Sequence, residues 1–211
     1  QGVAAADVVV DDRERFRDLP ALPYSENEAK QIADLYPGSE LLTSTEATKD
    51  RLMHDAQRAA VVHFAGHAVA SRESPLLSSL VLAPGSGADS GLLFAYEIRA
   101  QRLSATRLVV LSACGSADGP VMSREGVGSL ARAFLDCGVP CVVGALWDIS
   151  DRPSSDLLVR FHTSLRAGRN PAEALRDAQL SFLKSPDPAL HSPTFWAPLS
   201  VIGGIDLRVE K

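Results

Sequence analysis

Two runs of consecutive apolar residues stand out from the pattern of the chain. Residues 60–65 (AVVHFA) lead into Gly66-His67, and residues 108–113 (LVVLSA) lead into Cys114-Gly115. Short unbroken apolar runs, as opposed to alternating ones, belong to strands buried on both faces, the condition of a parallel sheet. A third run, residues 141–146, follows Gly-Val-Pro. Residues 6–10 and 40–42 read as shorter strands, and residues 196–202 as a last one.

Between these runs the period changes to that of helices. Ser25-Glu26-Asn27-Glu28 opens one that ends before Tyr36-Pro37-Gly38, and Thr45 opens a second with Ala47, Leu52 and Ala56 on one side. Val127, Leu130, Phe134 and Leu135 predict a helix over residues 126–137, and two more are expected over 153–167 and 171–183, the last with proline in its first turn. Residues 76–83 and 91–94, joined by the turn-rich Pro84-Gly85-Ser86-Gly87 segment, predict an inserted β-hairpin. Residues 117–125 hold too many Gly, Pro, Ser and Asp residues for regular structure. The sum is an α/β fold, a three-layer αβα sandwich on a mostly parallel six-stranded sheet plus the hairpin.

A chain of 211 residues with 45% hydrophobic content buries a full core without a second domain, so residues 1–211 are read as a single domain. It starts abruptly with Gln-Gly, which suggests a domain cut from a longer protein. The formal charge of −5 and the lack of Lys/Arg clusters interleaved with aromatics argue against direct nucleic-acid binding. Apolar stretches fall short of the roughly 20 residues of a membrane helix, and no basic-then-apolar leader is present. A cytoplasmic location and no membrane contact are therefore expected.

Three cysteines cannot all pair, and Cys137 and Cys141 are read as thiols at a helix end and a strand start. A lone C-x3-C lacks the four ligands of structural zinc, so no metal or other cofactor is expected. His63 and His67 form H-x3-H, but on a strand that spacing separates the rings by about 13 Å. His63 is thus expected to be buried and hydrogen-bonded beneath the site, and His54, His162 and His191 to be surface or structural residues. Ligands of open α/β sheets bind at the carboxyl ends of the strands, where His67 and Cys114 meet. A histidine and a cysteine delivered to one crevice make a thiol hydrolase pair.

The ordered set HFAGH, LSACGSADG, EGVGSLARAFLDCGVP, GALWDISD, AEALRDAQ and FWAPLSVIG, together with LPALPYSENEAKQIADLYP and LLTSTEATKDRL upstream, resembles the bacterial CHAT-domain peptidases. These group with caspases and separases in one clan of cysteine proteases, and the likeness runs from about residue 6 to residue 204. It implies a caspase-like sheet and a His-Cys dyad, with Cys114 as nucleophile, His67 as acid and base, and the backbone N–H groups of Ala68 and Cys114 receiving the oxyanion. It also implies a protein or peptide substrate, an activating sensor region or partner protein, and a setting in bacterial defence or regulated cell death. The clan has glycine after the histidine where this chain has Ala68, which favours, as an alternative, a weak or inactive interaction module. A thioesterase is disfavoured because Ser112-Ala113-Cys114-Gly115 lacks the glycine positions of a nucleophile elbow.

Pocket candidates by the same resemblance are Asp118, Trp147, Asp148 and Asp151. Carboxylates there favour Arg or Lys next to the scissile bond, Trp147 favours an apolar side chain, and Asp148 and Asp151 equally suit helix capping. Basic and apolar preferences both remain open at this point, whereas a preference for Asp is least expected, because the only arginines of these loops, Arg124 and Arg152, lie near their far ends.

Overall fold

The computed structural model of the protein describes residues 19, 21–71, 73–87, 89–113, 121–122, 126–127 and 130–204. The expected strand over residues 6–10 lies outside them. The elements run α1 (Ser25–Asp34), α2 (Lys49–Ala56), β1 (Val61–Ala65), β2 (Ala68–Val69), β3 (Ser79–Val81), β4 (Leu92–Phe94), α3 (Ala95–Arg99) and β5 (Leu108–Ser112). They continue as β6 (Val121–Met122), β7 (Gly126–Val127), α4 (Leu130–Asp136), β8 (Cys141–Ala145), α5 (Asp151–Arg166), α6 (Pro171–Leu183), α7 (Pro193–Trp196) and β9 (Leu199–Gly203).

The described central sheet has the order β1-β5-β8-β9. β1, β5 and β8 are parallel, and β9 is antiparallel to β8. Two successive helices explain that reversal. Gly168 at φ +94° stops α5, Asn170 caps α6 by accepting from Glu173 N–H, and the second helix brings the chain back before β9 begins. Both faces of β5 are buried, as its unbroken apolar run requires. Val109 and Leu111 pack with residues of α2, α3 and α4, whereas Leu108 and Val110 pack with residues of α1, α5 and α6. These are the three layers of the expected αβα sandwich.

Several expectations are corrected. Residues 40–42 form no strand among the described residues; Leu41 is exposed, and the segment runs into a 3-10 turn over Ser44–Glu46. Thr48, not Thr45, opens α2, its hydroxyl accepting from Arg51 N–H at 3.3 Å. The hairpin is a three-stranded sheet in which β2 joins β3 and β4, because the chain leaving His67 stays extended for two residues and pairs back. Residues 76–77 belong instead to a 3-10 turn begun by Pro75. Gly126 and Val127 pair with Met122 and Val121 as a two-residue ladder, so the helix expected from residue 126 starts at Leu130. Residues 121–122 are accordingly regular, against the expectation for the stretch 117–125. Pro193 starts a helical turn through Trp196, and the last strand begins only at Leu199.

Candidate functional site

β1 and β5 pair in register from Val61↔Leu108 to Ala65↔Ser112. One more rung follows, in which Gly66 N–H donates to the carbonyl of Ser112 at 3.1 Å. His67 is the second residue after Ala65, and Cys114 is the second after Ser112. Cys114 and Asp118 lie outside the described residues. Ala113, immediately before the cysteine, is buried at 1% exposure, and Ser112 is buried too.

Gly66 is needed for space. A Cβ there would stand 2.9 Å from Phe64 Cζ, a distance a methyl cannot hold against a buried ring. His67 is half-buried, its carbonyl accepting from Val81 N–H at 2.9 Å. That bond makes Ala68↔Leu80 a non-hydrogen-bonded pair of the β2–β3 ladder, which turns the N–H of Ala68 away from β3. Among the described non-glycine residues only Ser44 has positive φ, so Ala68 stands in backbone that alanine adopts without strain.

The third strand end lies on the other side of β5 from β1. Beyond β8, Leu146 N–H donates to Pro198 O at 2.8 Å, and the side chains of Leu146 and Trp147 are exposed at 42% and 43%. Asp148 is exposed as well. Asp151, the first residue of α5, accepts the Tyr24 N–H on Oδ2 at 3.0 Å, and Arg152 covers the Tyr24 ring at 5.9 Å. The N-cap of α5 is Ser150, without a side-chain cap bond, so neither Asp148 nor Asp151 plays the capping role considered for them. Asp151 instead fastens the entry of α1 to α5, a long-range contact that sequence spacing does not reveal.

On the near side, the turn over residues 84–90 is pinned by one carboxylate. Asp89 accepts from Gly85 N–H at 3.1 Å and Gly91 N–H at 3.0 Å, and Lys49 Nζ lies 3.3 Å away. These bonds hold the Asp89 carboxyl below its ordinary range against the opposing effect of burial, which is the largest single influence. Lys49 also reaches Glu97 Oε1 at 3.1 Å, tying α2 to the start of α3.

Cys137 and Cys141 are buried free thiols, and burial pushes each up to about 11, so neither competes as a thiolate. His63 is indeed hydrogen-bonded under the site, its Nε2 lying 2.9 Å from Glu28 Oε1. His162 is fully buried, not a surface residue. Among the described residues no group of three His, Cys, Asp or Glu side chains is arranged to hold a metal ion. None of their helices is long and apolar enough to cross a membrane.

The CHAT domain profile matches residues 3–204. The chain is 31% identical over 227 residues to tetratricopeptide repeat protein 28 of Mus musculus and 30% identical over 226 residues to that of Homo sapiens. Each alignment covers 90% of this chain and 9% of the relative, so the chain spans about a tenth of those proteins. In fold it is similar to the Arg-specific cysteine proteinase gingipain R, with a TM-score of 0.58 at 14% identity, covering 87% of this chain and 42% of that one.

Proposed function

Because the chain belongs to the CHAT domain family, we propose that it is the cysteine endopeptidase domain of a regulated protein, working through a dyad of His67 and Cys114. The observation that carries this reading is the β1–β5 register closed by the Gly66-to-Ser112 rung, since His67 and Cys114 follow the last paired residues by the same two positions. The fold similarity to a cysteine proteinase supports it.

In this reading the Cys114 thiol gives its proton to His67 as sulfur attacks the peptide carbonyl. The imidazolium then protonates the departing amine, and water, deprotonated by His67, releases the acyl group. The N–H groups of Ala68 and Cys114 receive the oxyanion, a contribution of about 3 kcal/mol per donor in hydrolases generally. The Ala68 N–H, turned away from β3, supports that role. The alternative of an inactive module is motivated by Ala68, and the unstrained backbone there weighs against it.

Trp147 and Asp148 are the pocket residues we favour, because both are exposed beyond the end of β8 while the Asp151 carboxylate is already engaged by Tyr24. A carboxylate beside an indole suits Arg or Lys, the guanidinium stacking on the ring and pairing with the acid. The substrate is a protein, and activation comes from a sensor region or partner. The likeness to tetratricopeptide repeat proteins suggests a repeat array in that position. We place the activity in the cytoplasm, in a defence or cell-death response of the kind the bacterial members serve.

The test is intact-mass labelling with peptidyl acyloxymethyl ketones and chloromethyl ketones that differ next to the warhead. Labelling of wild type at Cys114, lost in both Cys114→Ala and His67→Ala, is the expected result, with Arg and Lys probes fastest. Labelling of Cys114 no faster than of Cys137 or Cys141, with the full-length protein and its activating region present, overturns the dyad.

A further inference from the structure

Behind β1, on the layer away from the hairpin, four titratable side chains from three elements form a single file. His63 Nε2 stands 2.9 Å from Glu28 Oε1, His63 Nδ1 stands 3.2 Å from His162 Nε2, and His162 Nδ1 stands 2.8 Å from the Tyr36 hydroxyl. Glu28 is 1% exposed and His162 wholly buried, and the rings of His63 and His162 meet edge to face at 5.1 Å. Peptidase chemistry at His67 makes no use of this line.

With Glu28 a carboxylate and His63 neutral, the hydrogens in it have one consistent arrangement. A carboxylate accepts and does not donate, so the His63 hydrogen sits on Nε2, which leaves Nδ1 to accept. His162 must then carry its hydrogen on Nε2, and its own Nδ1 accepts from Tyr36 O–H. Every donor points toward Glu28.

We propose that Glu28, His63, His162 and Tyr36 form a proton-sensing relay in which one proton taken up by the Glu28–His63 pair reverses the whole line. The added proton occupies His63 Nδ1, which now donates to His162 Nε2. His162 shifts its hydrogen to Nδ1 and donates to the Tyr36 oxygen, and the Tyr36 hydrogen turns outward. One proton is gained, none is lost, and His162 is neutral in both states.

The surroundings favour this division of labour. Burial, helped by the neighbouring His63, holds His162 well below the ordinary imidazole range, so it passes the change on without keeping the charge. The anion that receives the positive charge is Glu28 of α1. Arg166 of α5, 5.1 Å from the centre of the Tyr36 ring, disfavours cation at the far end. From β5 the line meets Leu108 and Val110, without charge, and Asp177 of α6 is turned to Ser164 and Arg169 instead. Burial raises the Tyr36 hydroxyl to about 12 against the effect of Arg166, so it remains a phenol throughout. Tyr36 and His63 both line a groove of about 660 Å³, whose charged residues are Glu40, Asp55 and Arg58. The relay thus links two points of one wall through His162, so that protonation at His63 changes the hydrogen-bonding character of the wall at Tyr36.

Long-range proton–nitrogen correlation of the imidazole rings, followed from pH 8 to pH 5 on the whole chain and assigned through backbone connectivities, tests this directly. His162 is expected to pass from the Nε2–H to the Nδ1–H form at the midpoint where His63 becomes cationic. An unchanged His162 tautomer, or a cationic His162 at that midpoint, overturns the proposal. In Glu28→Gln, whose carbonyl still accepts from His63, both midpoints are expected to fall together. A fall in the His63 midpoint alone also overturns it. If that variant does not fold, the wild-type titration decides.

Discussion

Gly66 donates its amide hydrogen to the carbonyl of Ser112 across 3.1 Å, so the last rung between β1 and β5 lies one residue before His67 and two before Cys114. The same glycine is packed so closely on the Phe64 ring that it has no room for a methyl group. Register and clearance at one residue together set where the chain to His67 emerges.

Gly66→Ala is therefore expected to destabilise the domain by about 1–3 kcal/mol, the usual range for overpacking a well-filled core. Urea denaturation measures this, and a loss under about 0.5 kcal/mol shows that Phe64 yields freely.

Ala68→Gly is expected to leave warhead labelling at Cys114 within about twofold of wild type, since Ala68 already lies outside the left-handed region that glycine relieves. A tenfold gain on restoring the glycine of the clan would show that the methyl group costs activity through a route other than φ.

Asp89→Ala removes the acceptor for two amides and one ammonium. Faster hydrogen exchange and protease nicking confined to residues 84–91 are expected, at a stability cost of about 1–3 kcal/mol. A pattern unchanged from wild type would mean that the β3–β4 ladder alone fixes the turn.

His162 gives stability a defined pH dependence. Its folded value lies well below the ordinary 6.5, so the unfolded chain binds a proton there that the folded chain refuses. Stability is full above pH 6.5 and falls as pH drops below it, with a slope from this residue approaching about 1.4 kcal/mol per pH unit. Chemical denaturation between pH 7.5 and 5 checks this, because His162→Phe lowers stability overall but makes the slope shallower by one proton.

Burial of Cys137 and Cys141, each pushed up to about 11, leaves roughly a hundredfold less thiolate at pH 8 than thiols at the ordinary 9.0 would have. In Cys114→Ala, alkylation of the folded chain is expected to be slower than that of the urea-unfolded chain by at least this factor, as read by intact mass. Equal rates would place one of these thiols at the surface.

The sheet was legible because β5 and β8 are buried on both faces and so read as unbroken apolar runs, while β1, buried at Val62 and Phe64 and half-buried elsewhere, is apolar but for His63; α6 was legible because Asn170-Pro171 marks its start. The sequence was less informative wherever tertiary contacts decide. Leu41 and Leu42 look like a strand by composition, yet residues 40–42 have no ladder among the described residues. Trp196 looks like strand onset, but Pro193 had already started a helical turn. The candidate site was half legible in the same sense. His67 follows from its position at a strand end, whereas the engagement of Asp151 by Tyr24, 127 residues away, and the file from Glu28 to Tyr36 depend on how α1 lies against α5.

That packing makes α1 and α5 a joint fixed at both ends. Tyr24 N–H is held by Asp151 at one end, and the Tyr36 hydroxyl is held by His162 at the other. A force along the α1 axis therefore loads two bonds in shear, whereas a force across it would open them one at a time. The first of them is anchored three residues after Asp148, beside the loop that carries Trp147.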